Sequence, residues 1–570
     1  MSNPLPKADV LIIGLGAAGG IAAYVLADAG IKVVGLEAGP YLTNKDIIKH
    51  YDEQDMGWDG ASKAAKEIPT WRPDAKSPTA PPAIPGSSMV MANMVGGTTN
   101  HYGTQNWRLR ADDFQARSDT IEKYGEKALP DGSTLADWPL TYDELEPYYD
   151  QVDYLIGVSG KAGNIKGKLV EGGNPFESPR SREFPLPPVQ KAGYTELAAQ
   201  GMTELGYHPF PQPTVALSQP YDDRPACTYC GYCSMGCWND SKSSTRVSAI
   251  QKAEATGNLE IRPNSRVMKI LSNDNGEVTG VEYLDENGDL QTQPAGVVIV
   301  SSYLYENTRL LLVSSSDYYP NGLANNAGNV GKNYMSHGYV GRNALFPGKS
   351  LNLWGGMGGQ ATAMDDLNGD HFDHTGLGFI RGAVIFASTG ALPIAISQSL
   401  PAGTPTWGAD YKRWLHDNGN SVGSILAQVE PLPYEQHFLD LDPTVKDPLG
   451  MPVIRVTYNF GENENNATTY IDGKLEEIMK AMGASETWPS FPARTPVAIN
   501  THAYGTTRMG EDPSTSVVNK YGLAHEAPNL MVLGGSTFPS ASGYNPTHTI
   551  EALAWHAADY LARNLKSIAV

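Results

Sequence analysis

The chain has 570 residues, enough for two domains or three with real cores. Hydrophobic residues make up 41% and charged residues 18%, which argues against charge-driven disorder. The formal net charge of −20, with no run of Lys and Arg, makes nucleic acid a poor partner and favours a well-solvated surface.

Met1 to Lys7 reads as a short polar lead without the features of a signal peptide. Ala8 to Ile13 is expected as a buried strand, Gly20 to Ala29 as a helix stopped by Gly30, and Lys32 to Glu37 as a second strand. Val10 to Ala27 carries no charge and approaches the length of a membrane span, but Gly14, Gly16, Gly19 and Gly20 interrupt it. A strand, a tight turn and a buried helix account for it better.

Pro69 to Pro85 is rich in Pro, Ala and Ser and suggests an irregular surface excursion. Met94 to Arg110 holds a second glycine-rich motif. Tyr142 to Val158 is expected as a helix, Gly160 to Pro213 as surface loops, and Ser244 to Thr256 as a helix. Leu259 to Leu284 reads as a hairpin turning at Asn273-Asp-Asn-Gly276. Val297 to Ser301 is a buried strand, with a helix following near Glu306 to Val313.

From about 340 to 495 the apolar pattern alternates, as in Ser424 to Val429 and Val453 to Tyr458. This predicts an antiparallel sheet with few helices before Ala467 to Met482. The last stretch returns to strand then helix, at Asn529 to Gly535 and Thr547 to Leu565. The fold class expected is an α/β, Rossmann-like domain assembled from separated segments, plus an α+β domain with an antiparallel sheet. The expected parts are 1–110, 221–339 and 496–570 for the first domain, 340–495 for the second, and 111–220 for an excursion that joins it.

Gly14, Gly16 and Gly19 form G-x-G-x-x-G between a strand and a helix. The first glycine permits the turn, the second admits a pyrophosphate, and the third lets helix pack on strand. Glu37 closes the next strand, where a carboxylate can accept from ribose hydroxyls. FAD and NAD share this fingerprint. Further along, Val95-Gly-Gly-Thr-Thr-Asn-His-Tyr-Gly103 with Trp107 and Arg108 resembles the second FAD motif of the glucose–methanol–choline oxidoreductases. His502-Ala-Tyr-Gly-Thr-Thr-Arg-Met-Gly510-Glu-Asp-Pro513 and Ser542-Gly-Tyr-Asn545-Pro-Thr547 resemble that family's later motifs, in family order.

The resemblance implies FAD, with Gly96 and Gly97 near the flavin, the Val267 backbone beside the adenine, and Gly534 and Gly535 in the last FAD-binding turn. Gly534 replaces an acid common near there. His101 stands where some relatives bond the flavin covalently and others do not. It also implies His502 as the base that takes a hydroxyl proton and Asn545 as its partner on the substrate oxygen. His548, one turn into a helix, is at best supporting.

All four cysteines fall in one run, Cys227-Thr-Tyr-Cys230-Gly-Tyr-Cys233-Ser-Met-Gly-Cys237. Structural zinc, an iron–sulfur cluster and a free thiol group compete as readings. The spacing of Cys227, Cys233 and Cys237 resembles the branch made up of the flavin subunits of bacterial gluconate, glucose, fructose and sorbitol dehydrogenase complexes. Those relatives hold a [3Fe-4S] cluster, and Cys230 would allow [4Fe-4S].

The resemblance therefore implies a dehydrogenase that oxidises a sugar, polyol or gluconate-like secondary alcohol to a ketone. Electrons would leave through the cluster to a cytochrome c or quinone. A small export partner and a cytochrome c subunit are implied, with a place on the periplasmic face reached only through them, or a cytoplasmic one. The alternatives are an oxygen-using pyranose or alcohol oxidase and a non-catalytic electron-transfer subunit.

Overall fold

The computed structural model describes residues 5–47, 53, 69–77 and 92–570. Ala8–Ile13 is a strand whose apolar run is buried on both faces, as a central parallel strand requires. It pairs in parallel with Val33–Leu36 on one side and with Leu290–Val300 on the other. Leu259–Arg262 and Leu530–Val532 extend the parallel sheet beyond these two neighbours. Strands distant in sequence thus meet in one sheet, as the separated-segment reading expects.

The helix Ala17–Asp28 covers one face of this sheet and packs against the C-terminal helix Thr547–Ile568. Tyr24 meets Trp555 edge to face across that contact, with ring centroids 5.7 Å apart. Tyr142–Ile156 packs on the same C-terminal helix. Its start is a reciprocal cap: Glu144 N–H donates to Thr141 Oγ1 and Thr141 N–H to Glu144 Oε2. Left-handed Gly157 ends it. No helix among the described residues is long and apolar enough to cross a membrane.

Two further sheets stand beside the first. One orders its strands Ala503–Thr506, Lys332–Ser336, Phe438–Lys446, Pro452–Thr457 and Thr70–Arg72. The other runs Glu486–Phe491, Gly338–Leu345, Val422–Val429, Ala383–Ser388, Ala361–Met364 and Phe210–Pro211. The chain crosses between them at His337, the single residue between Ser336 and Gly338. The helix Glu462–Ala481 backs the second of these sheets through Ala467, Ile471, Leu475 and Ile478.

Several local expectations change. The region from 340 to 495 contributes to two sheets, and Pro393–Gln398 and Gly408–Asn418 are helices within it. Gly160 to Pro213 contains the helix Gly193–Glu204, whose Tyr194, Ala198 and Met202 are buried. The Gly and Pro density around that helix hid its period. The hairpin is only Arg266–Ser272 and Val278–Leu284, turning at Asn273 to Gly276 as expected. Leu259–Arg262 separates from it because Pro263 and left-handed Asn264 break the strand. The expected helix from Ser244 opens as a π turn at Arg246–Ile250 before Gln251–Ala255 continues it. The excursion from Pro69 includes the strand Thr70–Arg72, and its part from 78 onward lies outside the described residues.

Candidate active site

The turn after Ala8–Ile13 and the glycine-rich segment at 96–97 meet at the wall of a cleft of about 1260 Å³, open mouth included. Gly14, Gly16, Glu37, Gly97, Val267, Gly534 and Gly535 all line it. Gly19 lies behind the wall. A Cβ there would fall 2.0 Å from the Gly14 carbonyl oxygen, so only glycine lets the helix close on the strand. Gly97 has φ +51°, and a Cβ on it would sit 2.9 Å from Gly16 Cα. The two glycine segments therefore touch backbone to backbone, and the space they spare is the cradle. Gly16 has no side-chain cap on the helix it starts, so the first-turn N–H groups remain for an anion.

Both carboxylate oxygens of buried Glu37 accept backbone N–H groups, from Leu15 and Gly39, each at 3.0 Å. Burial nevertheless raises its pKa to about 7, against those hydrogen bonds. The carboxylate retains acceptor capacity for a ribose hydroxyl. Gly96 is left-handed and stands behind Gly97, close to Asn100 and Arg246. His101 is buried, and burial followed by the Lys242 ammonium pushes its pKa down to about 3. Glycines, free helix N–H groups and a buried acid fit the pyrophosphate and ribose of FAD.

His502 and Asn545 come together. Asn545 Nδ2 lies 3.1 Å from His502 Nε2. His502 immediately precedes the strand Ala503–Thr506, and Asn545 stands just before the C-terminal helix. Sequence reading named Trp107 only as part of an FAD motif and did not single out His337, Tyr339 or Asn500. The pairing of Ser336 with Ala503 sets His337 opposite His502, with Nδ1 of each ring 3.0 Å apart. Tyr339 hydroxyl also lies 3.0 Å from His502 Nδ1 and donates to Asn500 Oδ1. Trp107 stacks on Tyr544 at 4.8 Å and donates its indole N–H to Asn545 Oδ1 at 3.2 Å. Burial, and secondarily His337, holds the His502 pKa well below the ordinary imidazole value. A neutral imidazole beside an amide donor can take a proton from a hydroxyl group.

His548 belongs elsewhere. It is fully buried with Nε2 3.0 Å from Asp153, which also receives Arg108 and Arg180. This cluster ties the helix Tyr142–Ile156 to its surroundings.

The cysteine run depends on more than spacing. Cys227, Cys230, Cys233 and Cys237 are all free thiols. Cys227 Sγ lies 3.6 Å from Met357 Sδ and accepts the Tyr229 N–H. Cys237 Sγ contacts Asn239 Oδ1 and accepts the Lys242 N–H. Among the described residues no three Cys, His, Asp or Glu side chains are arranged to hold a metal ion. A cluster needs converging thiolates. The four thiols lie near one another: burial first, and then the neighbouring thiols, raise the pKa of Cys227 and Cys233. Yet Cys227 and Cys237 are turned to local partners, and the ligand set expected for a [3Fe-4S] or [4Fe-4S] group is not assembled among the described residues.

Models of the GMC oxidoreductase family match residues 191–339 and 433–554. The gluconate 2-dehydrogenase flavoprotein of Pantoea cypripedii is 34% identical, over 98% of this chain and 94% of its own length. The chain belongs to the GMC oxidoreductase family. The 2-methyl-1,2-propanediol dehydrogenase of Mycolicibacterium austroafricanum is 30% identical over 100% of this chain and 97% of its own. The crystal structure of pyridoxine 4-oxidase from Mesorbium loti superposes with a TM-score of 0.61 at 16% identity. That match covers 97% of this chain and 99% of that one, and it carries the fold. This GMC oxidoreductase is an FAD-dependent enzyme acting on CH–OH groups. When bound, FAD supplies the acceptor for two electrons.

Proposed function

We propose that this GMC oxidoreductase is a dehydrogenase that oxidises a secondary alcohol of a sugar, polyol or sugar acid to a ketone. The observation that carries the reading is the 3.1 Å pairing of Asn545 Nδ2 with His502 Nε2. His502 takes the hydroxyl proton of the substrate on Nε2. Asn545 holds the same oxygen and orients the neighbouring C–H bond. Gly14, Gly16, Gly19, Glu37, Gly96, Gly97, Val267, Gly534 and Gly535 form the FAD site, with His101 beside it. The substrate class is supported by the full-length kinship with a gluconate dehydrogenase flavoprotein and a diol dehydrogenase.

The finer reading extends to electron exit and assembly. In it, Cys227, Cys233 and Cys237, with or without Cys230, hold an iron–sulfur cluster. A cytochrome c or quinone receives the electrons, and a small export partner takes the enzyme to the periplasmic face. The cysteine spacing supports this; the side-chain arrangement does not. Iron and acid-labile sulfide analysis of the purified chain decides it.

Anaerobic mixing of the holoenzyme with gluconate, fructose and simple diols tests the main reading. Bleaching of the flavin band by one of them, with an artificial acceptor reduced faster than peroxide forms in air, is the expected result. A flavin that none of them bleaches removes the substrate class. Peroxide formation outpacing acceptor reduction turns the dehydrogenase into an oxidase.

A further inference from the structure

Two groups of unambiguous polarity bracket the active-site imidazole. On one side stands Trp107, whose indole nitrogen can only donate. It lies 3.2 Å from Asn545 Oδ1, and Gln428 Nε2 reaches the same oxygen at 2.9 Å. Gln428 Nε2 also donates to the Gly543 carbonyl, so its amide is oriented as well. The Asn545 oxygen is thus turned toward donors, and its nitrogen must face His502. At 3.1 Å that nitrogen donates, so His502 Nε2 accepts.

On the other side stands the Ser542 carbonyl oxygen, which can only accept. It lies 2.6 Å from His337 Nε2. Tyr504 hydroxyl, 3.1 Å from the same nitrogen, spends its own proton on the Tyr544 carbonyl and accepts too. His337 therefore carries its hydrogen on Nε2 and leaves Nδ1 bare. Burial, opposed by the Ser542 carbonyl, pushes its pKa down to about 4, so the ring stays neutral. Its bare Nδ1 faces His502 Nδ1 at 3.0 Å. Two lone pairs do not meet at that distance, so His502 Nδ1 bears a hydrogen. Tyr339 agrees: its hydroxyl proton goes to Asn500, which leaves its oxygen to share the same N–H.

We infer that His337 is a positioning residue that holds His502 as its Nδ1–H tautomer and so keeps Nε2 unprotonated, its lone pair held by the Asn545 amide until a substrate hydroxyl takes that place. Two chains of hydrogen bonds, starting from a pure donor and a pure acceptor, reach the same assignment independently. When Nε2 takes the hydroxyl proton, the positive charge is met by acceptors already in place at Nδ1. His337 and Tyr339 need not reorient, which is what preorganisation requires. The inference rests on the reading of His502 as the base.

The test has two arms. A joint neutron and X-ray structure of the deuterium-exchanged holoenzyme should place deuterium on His502 Nδ1 and His337 Nε2, with His502 Nε2 bare. Deuterium on His502 Nε2 overturns the proposal, whatever substrate the enzyme uses. In the second arm, His337→Asn keeps an amide oxygen where His337 Nδ1 lies. His337→Gln keeps only the donor to Ser542. With FAD bound in both, the Asn variant should reduce its flavin within about 3-fold of wild type. The Gln variant should slow about 100-fold, the lower end of a positioned base's contribution. Equal rates in the two variants overturn the proposal, and variants that fail to fold leave the neutron map to decide. If no alcohol bleaches the wild-type flavin, the substrate class fails while the tautomer is still read directly. If His502→Ala turns over normally, the base reading fails by itself.

Discussion

Ser542 Oγ donates to Asp113 Oδ2 at 3.0 Å, and this bond anchors the segment that carries Asn545 to a buried ion cluster. Asp113 Oδ1 receives Arg110 and Arg381, and Arg381 also reaches Glu430. Arg381, Asp113 and Glu430 are all fully buried. Replacing Arg381 with Met would strand buried Glu430 without its cation and leave Asp113 with Arg110 alone. Removing one member of such a cluster costs about 3–5 kcal/mol. Chemical denaturation of Arg381→Met should show a loss of that order, and turnover should fall with it because Asn545 loses its anchor. A variant as stable as wild type would mean that the cluster does not brace the site.

Substitution of His502 by Ala should leave FAD bound, since the His502 side chain is not part of the wall of the FAD cleft. The rate of flavin reduction should fall by about 10²–10⁴-fold, the range for loss of a general base. Asn545→Ala should cost less, because Nε2 remains and only the amide donor is lost. Stopped-flow absorbance of the flavin band separates these effects from substrate binding. Near-normal reduction by the His502 variant would end the assignment.

The pH profile follows from burial of the same ring. His502 titrates well below the ordinary value of 6.5, and its neutral form is the one that accepts a proton. Flavin reduction should therefore stay flat down through pH 6.5 and decline only in more acid solution. A midpoint at the ordinary imidazole value would show that burial does not govern the base.

Glu37 makes the opposite kind of prediction. Its pKa is raised by burial from 4.5 to about 7. Between those values the folded chain keeps a proton that the unfolded chain has released. The stability it contributes is therefore complete below the unfolded value and is lost as pH rises through the folded one. Apoprotein carrying Glu37→Gln should match wild type below about pH 4.5, gain on it between there and about pH 7, and keep a constant advantage above. Thermal unfolding across this range measures the gain. A difference that does not vary with pH would show that Glu37 is charged throughout.

The dinucleotide cradle was legible because its signal is local. Gly14, Gly16, Gly19 and Glu37 lie within one strand–turn–helix–strand unit, where neighbours in sequence are neighbours in space. The long apolar runs at Ala8–Ile13 and Leu530–Val532 were readable for the same reason, since full burial of a short strand leaves its mark on composition. The Gly193–Glu204 helix was not legible, because Gly and Pro on both sides masked its period and its partner helix Glu462–Ala481 is far away in sequence.

From the amino-acid order alone came the α/β class, the FAD fingerprint, the family motifs and the candidate pair His502 and Asn545. Only tertiary structure decided what surrounds that pair. A histidine between two strands carries no mark in sequence, and His337 reaches His502 solely because Ser336 pairs with Ala503 across 167 positions. Spacing likewise set four cysteines in one run, yet convergence of sulfurs depends on where a folded loop turns each side chain, and here Cys227 meets Met357 while Cys237 meets Asn239. Periodicity records the average burial of a face; hydrogen-bond direction between side chains far apart in the chain is a property of the assembled core.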